Sequence, residues 1–240
     1  VPERRKPGDH CQLSTLPESG NLDTLIRPQA EPCVAVVAVD FTTDANWAAR
    51  HEQMLTRFGA RFTCDVAFPP GGTALVRGRS TDEVEGGVDH LTWAVSTLIA
   101  DVRIGVSCIG ADGDRDNLVA EARRAALYAS FNLSSSPATV IDHPMMETVL
   151  ADPKLQSTAG SVLDPLDKHP EFLCTLYLYI AFDRDRQRIA RHLRVHPRTV
   201  DYRLRRIAAL TGLQPQTIAG ACRLLIALIC RLDRDIAGRA

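Results

Sequence analysis

The run Cys33-Val-Ala-Val-Val-Ala-Val39 carries no polar position and is bounded by Pro32 and Asp40, the pattern of a buried strand. Helical spacing follows over 45–58 and stops at Gly59. Residues 61–68 read as a second strand, Pro69-Pro-Gly-Gly72 as a turn, and 73–77 as a third strand, so these two strands form a hairpin. A helix is predicted over 81–99, with Thr81 as its N-cap and acidic residues in its first turn. A fourth strand over 102–108, an Ala-rich helix over 116–131 and a short strand over 138–141 complete this part. The order is β-α-β-β-α-β, then α and β. It predicts an antiparallel sheet with helices on one face, a ferredoxin-like plan.

From about residue 151 the periodicity turns helical. Leu163-Asp-Pro-Leu166 reads as a turn into an apolar helix over 172–182. Two short amphipathic helices follow. In the first, Ile189, Ala190 and Leu193 are the apolar positions, and Val195 plugs the turn after them. Pro197 occupies the first position of the second, where a missing N–H costs nothing. Val200, Leu204 and Ile207 then fall at i, i+4 and i+7, one buried stripe. Arg198 and Tyr202, with Arg205 near them, lie on the opposite side of the same helix. A basic and aromatic face opposite a core face suits a helix lying in a major groove. Gly212 ends that helix, and Pro215 opens a last one reaching about Ala237. The fold class expected is α+β: a ferredoxin-like domain over 31–150, then an all-α helix-turn-helix domain over 151–240, with 1–30 as a tail or linker.

The whole-chain charge of −1 argues against a nucleic-acid partner, but its distribution reverses that reading. Residues 1–150 hold 13 basic and 20 acidic side chains, whereas 151–240 hold 15 and 9. The basic excess falls in 181–212, where nine Arg stand with three Asp, on the helix-turn-helix pattern itself. The seven Cys are scattered singly, without a C-x-x-C pair, and are expected as reduced, buried thiols, Cys33 and Cys108 among them. His10 and Cys11 have no partner pair nearby that would make a metal site. Asp112, Asp114 and Asp116 resemble a calcium loop only loosely, because Arg123 stands at the closing twelfth position. No membrane-spanning apolar run and no secretory signal is read, so a cytoplasmic protein without cofactor or metal is expected.

Val195-His196, Thr199-Val200, Tyr202-Arg203-Leu204, Arg206-Ile207 and Leu210-Thr211-Gly212 resemble the C-terminal helix-turn-helix of PucR/CdaR-type bacterial transcriptional regulators. Leu163, Pro165 and Leu166, with Leu173, Thr175, Leu176 and Tyr179, resemble the leading helices of that domain. Two positions depart from the family: Pro197-Arg198 stands where Arg-Asn is usual, and Asp201 where a basic or neutral residue is frequent. In that family the preceding domain is a degenerate relative of the diguanylate cyclase fold. Asp40-Phe41 stands where a working cyclase ends its first strand in a metal-binding Asp. The hairpin reads Gly71-Gly72-Thr73-Ala74-Leu75 in place of Gly-Gly-Asp-Glu-Phe, so both acidic residues are gone. One Asp cannot build a Mg²⁺ cage around substrate phosphates, and Asp40 reads as a strand-end cap or turn residue.

The resemblance implies a regulator that binds duplex DNA and is open to a small-molecule effector; the missing carboxylates speak against an enzyme, and paired operator half-sites call for a homodimer. The DNA-contacting residues expected are His196, Arg198, Thr199, Asp201, Tyr202, Arg203, Arg205 and Arg206. Arg203 lies only about 60° from the core stripe, so an ion pair to Asp183 or Asp185 competes with a phosphate contact. His196 is equally a turn residue serving a backbone group. Apolar residues spread round 215–237, and the 172–182 helix, are the surfaces available for pairing. The competing readings are a protein-interaction module that binds no DNA, and a residual nucleotide-binding protein of the cyclase-like fold.

Overall fold

Strand β1 (Cys33–Asp40) is the centre of the sheet, and its side chains are buried on both faces. Val34, Val36 and Ala38 pack on one side against Leu118, Ala122 and Ala126. Val37, Val39 and Phe41 pack on the other against Met54, Val95 and Ile99. The computed structural model describes residues 32–58, 62–65, 69–99, 102–133 and 136–237. The tail expected over 1–30, with His10 and Cys11, lies outside the described residues.

The remaining elements of this part are α1 (Trp47–Phe58), β2 (Phe62–Asp65), β3 (Gly71–Gly78), α2 (Thr81–Leu98), β4 (Arg103–Val106), β5 (Gly110–Ala111), α3 (Arg115–Ser130) and β6 (Ala138–Thr139). The sheet order is β2-β3-β1-β4-β6, with β5 paired to β1. The first four strands pair antiparallel, as the ferredoxin-like plan requires, and β6 joins β4 in parallel. The expectation of helices on one face is corrected. Helices α1 and α2 cover one face and α3 the other. An uninterrupted apolar strand leaves two faces to be covered, and one layer covers only one. Helix α3 comes so close to β4 that a Cβ on Gly105 would stand 2.1 Å from the Ala126 nitrogen. Only glycine admits that approach.

The N-cap of α2 is Ser80 rather than Thr81: its side chain accepts from the Glu83 N–H at 3.3 Å. Cys33 and Cys108 are half-buried rather than buried. Two helices that the hydrophobic pattern did not separate, α4 (Pro144–Ala151) and α5 (Pro153–Gly160), lead to a 3₁₀ turn over Ser161–Leu166. Then come α6 (Pro170–Ala181), α7 (Arg186–Leu193), α8 (Pro197–Thr211) and α9 (Ile218–Ala237). Helix α9 starts three residues beyond Pro215.

A single apolar cluster runs from Ala125, Leu127 and Tyr128 of α3 through α6, α7 and α8 to Leu232 of α9. Residues Glu31–Ala240 form one compact unit. Helix α9 packs on α3, α5 and α6. Leu224, Leu228, Ile229 and Leu232 are therefore 0% exposed. Phe172, Leu176 and Leu178 of α6 are buried too. The apolar residues expected to serve pairing on these helices are consumed inside the molecule. Of the large apolar side chains on α9, Ile218 and Ile226 are the exposed ones among the described residues.

One polar cluster joins the sheet to the helical part. Asp40 is 7% exposed and ends β1. Its Oδ1 accepts the Thr42 N–H at 2.7 Å, which is the turn role read from the sequence. Its Oδ2 also accepts the hydroxyls of Ser130 on α3, at 2.6 Å, and of Tyr177 on α6. Burial, and then the charge of Asp40, push the Tyr177 hydroxyl well above the usual tyrosine range. It stays protonated and serves as a donor.

Candidate nucleic-acid interface

Helix α7 begins where Asp185 accepts the Arg188 N–H at 3.0 Å, and buries Ile189 and Ala190. Its end is set by Arg194, which holds φ 54°, the left-handed region. A non-glycine residue there is uncommon. The geometry lets the Val195 N–H reach back to the Ala190 carbonyl at 3.0 Å and half-buries Val195 against the core. His196 then caps α8: its Nδ1 accepts the Arg198 N–H at 3.1 Å, and Pro197 is the first helical residue. Val200, Leu204 and Ile207 are each 0% exposed, the stripe the spacing predicted. Burial of each contributes about 1.5–3 kcal/mol. Gly212 closes α8 at φ 71°, with its N–H on the Ala208 carbonyl at 2.9 Å.

With that stripe fixed, the other side of α8 is turned outward. Arg198, Tyr202, Arg205 and Arg206 are exposed, Tyr202 at 52%. Arg205 Nε reaches only its own helix, the Asp201 carbonyl at 3.4 Å. Thr199 is half-buried in the first turn. The remaining candidates have partners inside the protein. Asp201 pairs with Arg186 of α7 at 3.3 Å, which offsets a carboxylate on a basic face. His196 is engaged as the cap. Arg203 is half-buried and donates from Nη1 to Thr175 Oγ1 of α6 at 3.1 Å. It makes no ion pair with Asp183 or Asp185, because α6 rather than the turn before α7 lies under that side of α8.

The sequence reading assigned no role to Arg186, Arg188, Arg191 or Arg194, all exposed on α7 and its turn. Their signal was present in the nine-Arg run, but periodicity on α8 alone does not say which side of α7 is open. Burial holds the His192 imidazole below the usual histidine range. Asp112 pairs with Arg77 at 2.9 Å and Arg115 at 3.6 Å. No group of three or more metal-ligating side chains occurs among the described residues, and no helix among them is long and apolar enough to cross a membrane.

Residues 172–230 match the PucR C-terminal helix-turn-helix domain. The resemblance read from the motif residues is borne out over this segment, which spans α6 to most of α9. None of the curated proteins matches the chain. Among solved structures, the chain is similar to a regulator of polyketide synthase expression from Bifidobacterium adolescentis. The identity is 21%, over 85% of this chain and 86% of that one, with a TM-score of 0.33.

Proposed function

We propose that the protein is a transcriptional regulator that reads duplex DNA with α8. The observation that carries this is the pairing of a fully buried stripe, Val200, Leu204 and Ile207, with an exposed face of Arg198, Tyr202, Arg205 and Arg206 on the same helix. Arginine reads guanine edges in a bidentate way and holds phosphates, and a tyrosine on the same face adds contact area. Thr199, in the first turn, serves a phosphate or a base. Arg203, His196 and Asp201 position the helix through Thr175, the cap and Arg186. Two copies together read two half-sites, since one helix-turn-helix discriminates poorly among genomic sequences. The sheet end does no nucleotide chemistry in this reading: Asp40 already accepts from Thr42, Ser130 and Tyr177.

The test is retardation of a DNA fragment from upstream of the protein's own gene, over a salt series. Replacing Arg198 and Arg205 together by Ala is expected to weaken binding by about 2–6 kcal/mol. Thermal unfolding should stay unchanged, since neither side chain packs in the core. Undiminished retardation by the folded double variant would remove α8 as the reading element.

A further inference from the structure

A second basic surface lies where the loop between β1 and α1 meets α7. The cleft is lined by Thr43 and Asp44 of the loop, Arg50 of α1, and Arg188, Arg191 and His192 of α7. Three guanidinium groups and a single carboxylate thus share one concavity. Arg50 reaches Asp44 at only 3.9 Å and also binds Gln53 Oε1 at 3.2 Å. Arg188 lies over the ring of Phe182, 4.2 Å from its centre, which fixes the guanidinium and leaves its N–H edge for another acceptor. Arg191 is exposed and has no ion-pair partner among the described residues. Arg188 and Arg191 stand i,i+3 on α7, a like-charge arrangement that destabilises a helix by itself. His192 packs its ring edge-on against Phe182, with ring centres 5.4 Å apart, and lines the cleft opposite Thr43 and Asp44 of the loop.

We propose that this cleft binds an oxyanion, a phosphate or carboxylate group, held by Arg50, Arg188 and Arg191. Planar guanidinium forks match both groups in geometry, and charge-assisted bonds to them are the strong ones. The oxyanion belongs either to a free small molecule or to a phosphate of the DNA backbone. In either case it ties α1, on the sheet, to α7, the first helix of the helix-turn-helix. Its occupancy then biases how α7 is held, which is what an effector site requires. The site does not depend on α8 reading DNA.

The experiment uses the full chain and two arms. In the first, inorganic phosphate is titrated at constant ionic strength and followed by calorimetry, for the protein and for a variant carrying Arg50→Ala and Arg191→Ala. Both side chains reach solvent, and circular dichroism checks that the variant folds. Saturable phosphate binding, at least tenfold weaker in the variant, is the result expected for a free anion. In the second, the salt dependence of DNA binding is compared for the same two proteins. A slope reduced by about 2 in the variant assigns the cleft to backbone phosphates. An unchanged slope with no saturable phosphate binding overturns the site, and so does an unchanged slope with equal saturable phosphate binding by the two proteins. If the chain binds no DNA, the phosphate arm decides alone, so failure of the α8 reading is told apart from failure of this one.

Discussion

The end of β1 and the outer face of α8 both carry charge, and they use it in opposite ways. At Asp40 the carboxylate is buried and accepts three donors, from Thr42, Ser130 and Tyr177. On α8, Arg198 and Arg206 are exposed, and Arg205 touches only a carbonyl of its own helix. A charge whose bonding capacity is satisfied inside the protein fixes geometry. A charge left outward on a rigid element keeps its bonding capacity for solvent or for an incoming anion. The same division runs through α8 itself. Arg203, one residue from Tyr202, turns inward to Thr175, while Tyr202 stays outside.

The sharpest way to break the contrast is to destroy the support beneath the open face. Leu204→Ala empties a fully buried position and should cost about 2–5 kcal/mol of stability, read by denaturant unfolding. DNA retardation should fall with the folded fraction, in contrast to the Arg198 and Arg205 double variant, which is expected to lose binding and keep stability. A loss below 1 kcal/mol would mean that the stripe is not packed as described. The closed end is tested by Tyr177→Phe, which removes one donor from a buried carboxylate. The expected cost is about 1–3 kcal/mol, again by denaturant unfolding, with the exposed face of α8 untouched. An unchanged midpoint would show that Asp40 is not held between sheet and α6.

The smallest effect concerns His192, between the two regions. Its pKa is lowered in the folded state by burial, so the unfolded chain binds its proton more readily. Stability from this group is complete above the unfolded value, about 6.5, and is lost as pH falls below it. His192→Gln should therefore flatten the stability profile between pH 7 and 5 relative to the parent chain. An NMR titration of the ring that gives an ordinary or raised value contradicts the assignment.

Local spacing carried most of what could be read in advance. The buried stripe of α8, Pro197 at the first helical position, Gly212 at the end and the buried strand are all set by residues within one or two turns of each other. Each rule acts over that distance, and none needed the rest of the chain. The antiparallel pairing of the first four strands also followed, because the element sequence permits few topologies; the parallel β6 did not. The cover on both faces of β1 did not, since apolar runs say that a face is buried but not by what. The placement of Arg203 depended on α6 lying beneath α8, and its partner Thr175 is 28 residues away. The use of Asp40 depended on Tyr177, 137 residues further along the chain. The apolar surplus on α9 read as a pairing surface from sequence, and only the packing of α3, α5 and α6 around it assigned those residues to the core. Periodicity fixes which side of an element is apolar. Which neighbour covers that side, and which charges are left in water, is a property of how the elements assemble.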